Sequence, residues 1–206
     1  MTNTISFISQ IASYTSILQN IILALSGTAA TLFAFLGLTA WRKEIKGKSE
    51  YEKAKKVLKA VYKVYRAFVY VRNPAIFQYE YPKEMTESWG HLKEEFYYEG
   101  ECYVYDNRWK ILTEAFLELE EQNLDAQVEW GTEFQEIIVP LRKCKGKLLN
   151  AIQNILETKK KNSQAPMCDI MAERAILYYE KDDKFTIEIN KAIKLFENKL
   201  RPHIKK

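Results

Sequence analysis

The sequence predicts an all-α protein, with a single N-terminal transmembrane helix followed by a cytoplasmic helical hairpin or bundle. Three observations carry this reading. No Asp, Glu, Lys or Arg occurs before Arg42, and residues 21–41 are densely apolar. Helix breakers are scarce, with 7 Gly and 5 Pro in 206 residues, a composition that suits long helices over a many-turned sheet. Beyond the apolar run, hydrophobic residues recur at spacings of three and four, the mark of a helix with one buried face.

The anchor comes first. Twenty helical residues span about 30 Å, the thickness of a bilayer's hydrocarbon core. Ile21 to Ala40 holds nine Ile, Leu or Phe residues. At roughly −0.5 kcal/mol each they favour insertion by about 4 kcal/mol, with no charge to oppose them. A buried core helix of this length would show a polar stripe. Here Ser26, Thr28, Thr31 and Thr39 are scattered, and such hydroxyls can bond the helix's own carbonyls. A cleaved signal peptide needs a positive start, and residues 1–20 carry no basic side chain. These twenty residues form a short extracytoplasmic segment, either an extension of the span or a helix on the outer surface.

Orientation follows from charge. Arg42, Lys43, Lys46 and Lys48 gather directly after the span. Positive residues stay on the cytoplasmic side, so the N-terminus faces out and residues 42–206 face in. These four are expected to lie against anionic lipid. Within the span, Gly27, Ala30, Ala34 and Gly37 share one face. Small residues so spaced let two helices approach closely, which makes self-association the expectation.

Residues 42–206 suit one domain with its own core. Charge is laid down in blocks: a net of +8 over residues 42–72, −12 over 80–136 and +8 over 142–206. Such blocks fit helices with complementary faces, or surfaces for a partner. Residues 42–72 read as a basic juxtamembrane helix, its seam running through Tyr51, Ala54, Leu58, Val61, Tyr65 and Phe68, with Val57, Val64 and Val71 flanking it. Gly47 marks a possible bend, and Asn73-Pro74 ends the helix. Residues 73–88 read as a loop, and Ser88 to Gly100 as a place for a short helix. A long hairpin is expected over 107–160. Its first arm, Asn107 to Glu129, carries the acidic stripe Glu114, Glu118, Glu121 and Asp125, which should face the basic helix. Its second arm, from Trp130 to Lys160, should kink at Pro140. A polar linker over 159–166, a short helix through Cys168, Met171, Ala175 and Tyr178, and a C-terminal helix over 186–200 ended by Pro202 complete the chain.

Chemistry is sparse. The chain has two histidines, His91 and His203, and no Glu-x-x-His pair, so no metal site is expected from the acidic stripe. Ser88, His91 and Glu94 or Glu95 lie close in sequence, but nothing supplies the positioned third group and oxyanion site that nucleophilic catalysis requires. There is no glycine-rich phosphate loop, dinucleotide fingerprint or nucleophile elbow. Cys102, Cys144 and Cys168 have no C-x-x-C partner and read as reduced, buried thiols. The aromatic run Phe96, Tyr97, Tyr98, Tyr103, Tyr105 and Trp109 sits among carboxylates that would repel phosphate, so it reads as core or interface, and no nucleic acid is expected. The expected cofactor set is empty.

The segments Trp41-Arg-Lys-Glu-Ile-Lys-Gly-Lys-Ser-Glu-Tyr-Glu-Lys-Ala-Lys-Lys56, Tyr70-Val-Arg-Asn-Pro74, Tyr105-Asp-Asn-Arg-Trp109, Glu129-Trp-Gly131 and Leu200-Arg-Pro-His203 together resemble a group of small bacterial membrane-anchored proteins with one N-terminal span and a cytoplasmic helical domain. The resemblance covers most of the chain. It implies a bacterial inner membrane and brings no activity, cofactor or catalytic residue. The function expected from the sequence is a non-enzymatic, membrane-anchored interaction module that self-associates and binds lipid and a protein partner. The alternative is an oligomerising effector that perturbs the bilayer.

Overall fold

A computed structural model describes residues 2–160 and 167–204, with side chains described for 14–160 and 171–204. All regular elements among the described residues are helical. The longer ones are α1 (Thr2–Val71), α2 (Tyr97–Trp130), α3 (Glu133–Ile137), α4 (Val139–Lys160), α5 (Met167–Leu177) and α6 (Lys184–Ile204). The chain divides into two compact units, residues 1–50 and 51–206.

The first unit is a lone helix. Described side chains from Tyr14 to Lys46 are exposed on every face, as a continuous apolar run with no partner in sequence dictates. Thr28, Thr31 and Thr39 donate their hydroxyls to the carbonyls of Leu25, Gly27 and Leu36 at 2.8–2.9 Å. These three threonine hydroxyls are thereby satisfied within the helix. Helical geometry starts at Thr2 and runs through Gly47 without a break.

The second unit is a four-helix bundle built from residues 51–71 of α1 with α2, α4 and α6. Ion pairs and hydrogen bonds fix the directions. Lys53 meets Glu129, and Lys63 meets Glu118 at 2.6 Å, so α1 and α2 run antiparallel. Arg142 with Glu120 and Lys159 with Glu101 set α4 antiparallel to α2. Lys147 with Glu188 joins α4 to α6, and Lys199 with Glu133 of α3, just before α4, sets the two antiparallel. Tyr62 donates to Glu197 at 2.8 Å and closes the ring between α6 and α1. The result is an up-down-up-down bundle. These exposed pairs set register more than stability, at about 0–1 kcal/mol each.

The core seam of α1 differs from the expected one. Ala54, Val57, Val61, Val64, Phe68 and Val71 are all buried, while Tyr51 is exposed and Leu58 and Tyr65 are half-buried. Both sets keep a 3-4 spacing. The valines win because this helix packs between two neighbours: Phe68 sets its ring edge-on against both Phe116 of α2 and Phe185 of α6, at 5.8 and 6.5 Å. The bulky Tyr and Leu side chains are thereby displaced to the flank.

Other boundaries and burial patterns also depart from expectation. Helix α2 begins at Tyr97, ten residues early, and the loop before it folds into 3₁₀ turns at Gln78–Glu80, Lys83–Met85 and Glu94–Phe96. Of the aromatic run only Tyr105 is buried, whereas Tyr97 and Tyr103 are exposed. The expected single helix from Trp130 to Lys160 is interrupted at Ile138, two residues before Pro140. Gly131, at φ 99°, ends α2, α3 follows, and Pro140 falls in the first turn of α4, where a missing N–H costs least. Pro202 does not end α6, which continues to Ile204, since one lost bond in a last turn is tolerable when Ile204 packs on the core. In α5, Leu177 is buried while Met171 is exposed. Cys144 is buried and Cys102 half-buried; Lys159 and Lys160 of the expected 159–166 linker belong to α4, and the rest of that linker and the side chain of Cys168 lie outside the described residues.

The two candidate seams of α1 separate experimentally. Val64→Ala should lower unfolding stability by about 2 kcal/mol, from two lost methyl groups and the cavity they leave. Tyr51→Ala should stay within about 0.5 kcal/mol of the parent. Urea unfolding of the two variants followed by circular dichroism checks the assignment.

Candidate interaction surfaces

Among the described residues, one helix is long and apolar enough to cross a membrane, and none of its apolar window is covered by the rest of the chain. Gly27, Ala30, Ala34 and Gly37 lie exposed on this helix. A Cβ added at Gly27 or Gly37 would meet no neighbour within 4 Å, so no contact inside the chain requires glycine there. Trp41 is exposed at the end of the apolar run, and Arg42, Lys43, Lys46 and Lys48 are exposed after it.

Chemistry in the second unit concentrates at one end of the bundle, around two arginines that are each 1% exposed. Arg72 ends α1. Its Nε donates to Ile176 O at 2.7 Å, its Nη1 to Thr186 Oγ1 at 2.7 Å, and its Nη2 to Tyr178 O and Asp183 Oδ2 at 3.0 Å. Phe185 lies under the guanidinium at 5.0 Å. Asp183 is also the N-cap of α6, accepting from the Thr186 N–H at 2.7 Å, a standard way to satisfy the free donors of a first helical turn. Burial pushes the Asp183 carboxyl up, but hydrogen bonds from Thr186, Glu180 and Arg72 outweigh it and hold the group below its ordinary value of 3.8.

Arg108 of α2 makes the companion clamp. Its Nε and Nη2 take both oxygens of Glu80, at 2.7 and 2.8 Å, while Nη1 and Nη2 donate to Asn73 O and Ala75 O at 2.7 Å. Tyr70 and Tyr105 flank it at 5.5 and 5.9 Å. Burial pushes the Glu80 carboxyl up, and hydrogen bonds from Arg108 and the Phe77 N–H hold it below its ordinary 4.5. The fork geometry matches a carboxylate, so the pair fastens the loop after α1 onto α2.

These clamps unite segments quoted above from distant parts of the chain. Tyr70 to Asn73 meets Tyr105 and Arg108 at one end of the bundle, and at the other Trp130 stacks on His203 with ring centroids 4.5 Å apart. Sequence reasoning did not single out Arg72 or Arg108 as a site. The available signal was an arginine inside an otherwise apolar helical seam.

The acidic stripe behaves partly as expected. Glu118 pairs with Lys63. Glu114, Glu121 and Asp125 are exposed and make no ion pair among the described residues. An open groove of about 470 Å³ runs between α1 and α2, lined by Lys63, Arg66, Tyr70, Ile111, Glu114 and Glu118 among others. Ser88 and His91 are exposed in the loop, and burial lifts the Cys144 thiol to about 11, away from nucleophilic character at neutral pH. Among the described residues no cluster of three His, Cys, Asp or Glu side chains is placed to hold a metal ion. Compared with protein-family models, curated proteins and solved structures, the chain matches none of them.

The carboxylates set an acid limit. A group whose folded pKa is depressed stabilises the fold above its unfolded pKa and loses that contribution as pH falls through the folded value. Glu80 and Asp183 are both of this kind, with ordinary values of 4.5 and 3.8. The melting temperature should therefore hold from pH 7 to about 5 and fall below about pH 4. Glu80→Gln should melt lower than the parent at pH 7, and the gap should narrow toward pH 3. Melts by circular dichroism across that range test both statements.

Proposed function

We propose that the chain is a membrane-anchored, non-enzymatic helical interaction module that self-associates in a bacterial inner membrane. The observation that carries this is the lone helix, whose Ile, Leu and Phe side chains are exposed on all sides. An apolar surface of that extent does not persist in water. Lipid covers it at small polar cost, because the helical backbone and the hydroxyls of Thr28, Thr31 and Thr39 are bonded within the helix. Arg42, Lys43, Lys46 and Lys48 hold the following segment on the cytoplasmic side and meet anionic headgroups. The face bearing Gly27, Ala30, Ala34 and Gly37 is the packing surface between spans. The bundle presents its exposed charged faces to the cytoplasm, where they meet a protein partner.

The open space beside Gly27 and Gly37 also favours a second reading, an oligomerising effector that perturbs the bilayer. Overexpression separates the two: an effector depolarises cells, and a module leaves the membrane potential unchanged.

Full-length protein should pellet with membranes through an alkaline wash and enter solution only with detergent; recovery in the soluble fraction would remove the anchor. A reporter fused after Lys206 should be active in its cytoplasmic form. Gly27→Leu combined with Ala34→Leu should weaken cross-linking between copies in membranes without changing the melting of the bundle, because neither site shares a unit with it.

A further inference from the structure

The outer face formed by α1 and α2 carries opposite charge on its two ridges. On α1, Lys56, Lys59 and Arg66 are exposed beside Lys63. With 3.6 residues per turn they fall along one side of the helix. On α2, Glu114, Glu121 and Asp125 are exposed beside Glu118 in the same way. The antiparallel register set by Lys63 and Glu118 places the ridges side by side, with the groove between them. Only the Lys63–Glu118 pair closes within this stretch. The three other cations and three other carboxylates make no ion pair with any described residue. Apolar side chains accompany them: Ile111 in the groove, and Leu117 and Val128 at 61% and 83% exposed on α2.

We infer that this face is a docking surface for a second copy of the chain, paired about a two-fold axis parallel to the helices. The charge pattern selects both occupant and axis. A face laid on its own copy has two candidate axes in its plane. An axis perpendicular to the helices sets α1 on the partner's α1, cation against cation. An axis parallel to them sets each basic ridge on the partner's acidic ridge, and the pairing is isologous. Complementarity of this kind chooses the partner and the register. The face is about 20 Å wide and 30 Å long, on the order of 600 Å², somewhat under the roughly 800 Å² per partner of a standard interface. Pairing through it is accordingly weak in dilute solution and gains from confinement in a shared membrane. The inference rests on the self-association reading and names the cytoplasmic surface that serves it.

The test uses the full chain in detergent micelles, with sedimentation equilibrium as readout. One variant, Lys56→Glu, Lys59→Glu and Arg66→Glu, makes both ridges acidic. The other, Glu114→Lys, Glu121→Lys and Asp125→Lys, makes both basic. All six sites are exposed, and circular dichroism confirms that each variant stays folded. Each alone should dissociate at least about tenfold more readily than the parent, and an equimolar mixture should form mixed dimers with near-parental affinity. Parental pairing should weaken as salt rises to 1 M, where exposed charges are screened. Parent-like pairing of either variant alone, or failure of the mixture to pair, overturns the inference while leaving self-association through the span intact. A parent that is monomeric at every concentration removes the self-association reading and this surface with it.

Discussion

A buried guanidinium has five N–H donors to satisfy, and at Arg72 the whole end of the bundle is arranged to do so. The carbonyls of Ile176 and Tyr178, the Thr186 hydroxyl and the Asp183 carboxylate all turn toward it. In return the Tyr179 N–H donates to the Arg72 carbonyl at 2.8 Å. One side chain thus joins the end of α1, the end of α5 and the first turn of α6. Asp183 serves two purposes at once, as ion-pair partner and as helix cap. Loss of either partner leaves a buried charge uncompensated, which costs more than the intact pair contributes.

Arg108 extends the same logic to the connection after α1. Its fork on Glu80 and its bonds to the carbonyls of Asn73 and Ala75 tie down a stretch that has no long helix of its own. That stretch is otherwise held by 3₁₀ turns and by backbone bonds such as Glu87 N–H to His91 O. The opposite end of the bundle is closed differently, by Trp130 stacked on His203 and packed near Phe134. One end is held by charge and hydrogen bonds, the other by ring contacts, with the valine seam of α1 and the Phe68 contacts between them.

The first unit obeys a different rule. Nothing among the described residues covers its apolar surface, so its stability depends on the surroundings, where the second unit's depends on packing. This division explains why the small-residue stripe and the basic cluster after Trp41 have no structural duty inside the chain.

The helical class, the charge-free run to Trp41, the antiparallel relation of the basic and acidic helices and the buried Cys144 were legible in the sequence. Each depends on local spacing or on charge blocks, which a linear reading preserves. Which side of α1 is buried was not legible. Two 3-4 series, through Tyr51, Leu58 and Tyr65 or through Val57, Val64 and Val71, are equally periodic, and only the positions of Phe116 and Phe185 choose between them. The start of α2 at Tyr97 was hidden for a similar reason, because Gly100 and the tyrosines there have weak helical preference and the helix gains from Tyr105 being buried. The roles of Arg72 and Arg108 lay furthest from view. The partners of Arg72 stand more than a hundred residues away, and no local pattern reveals which carbonyls a guanidinium will find once the helices have packed.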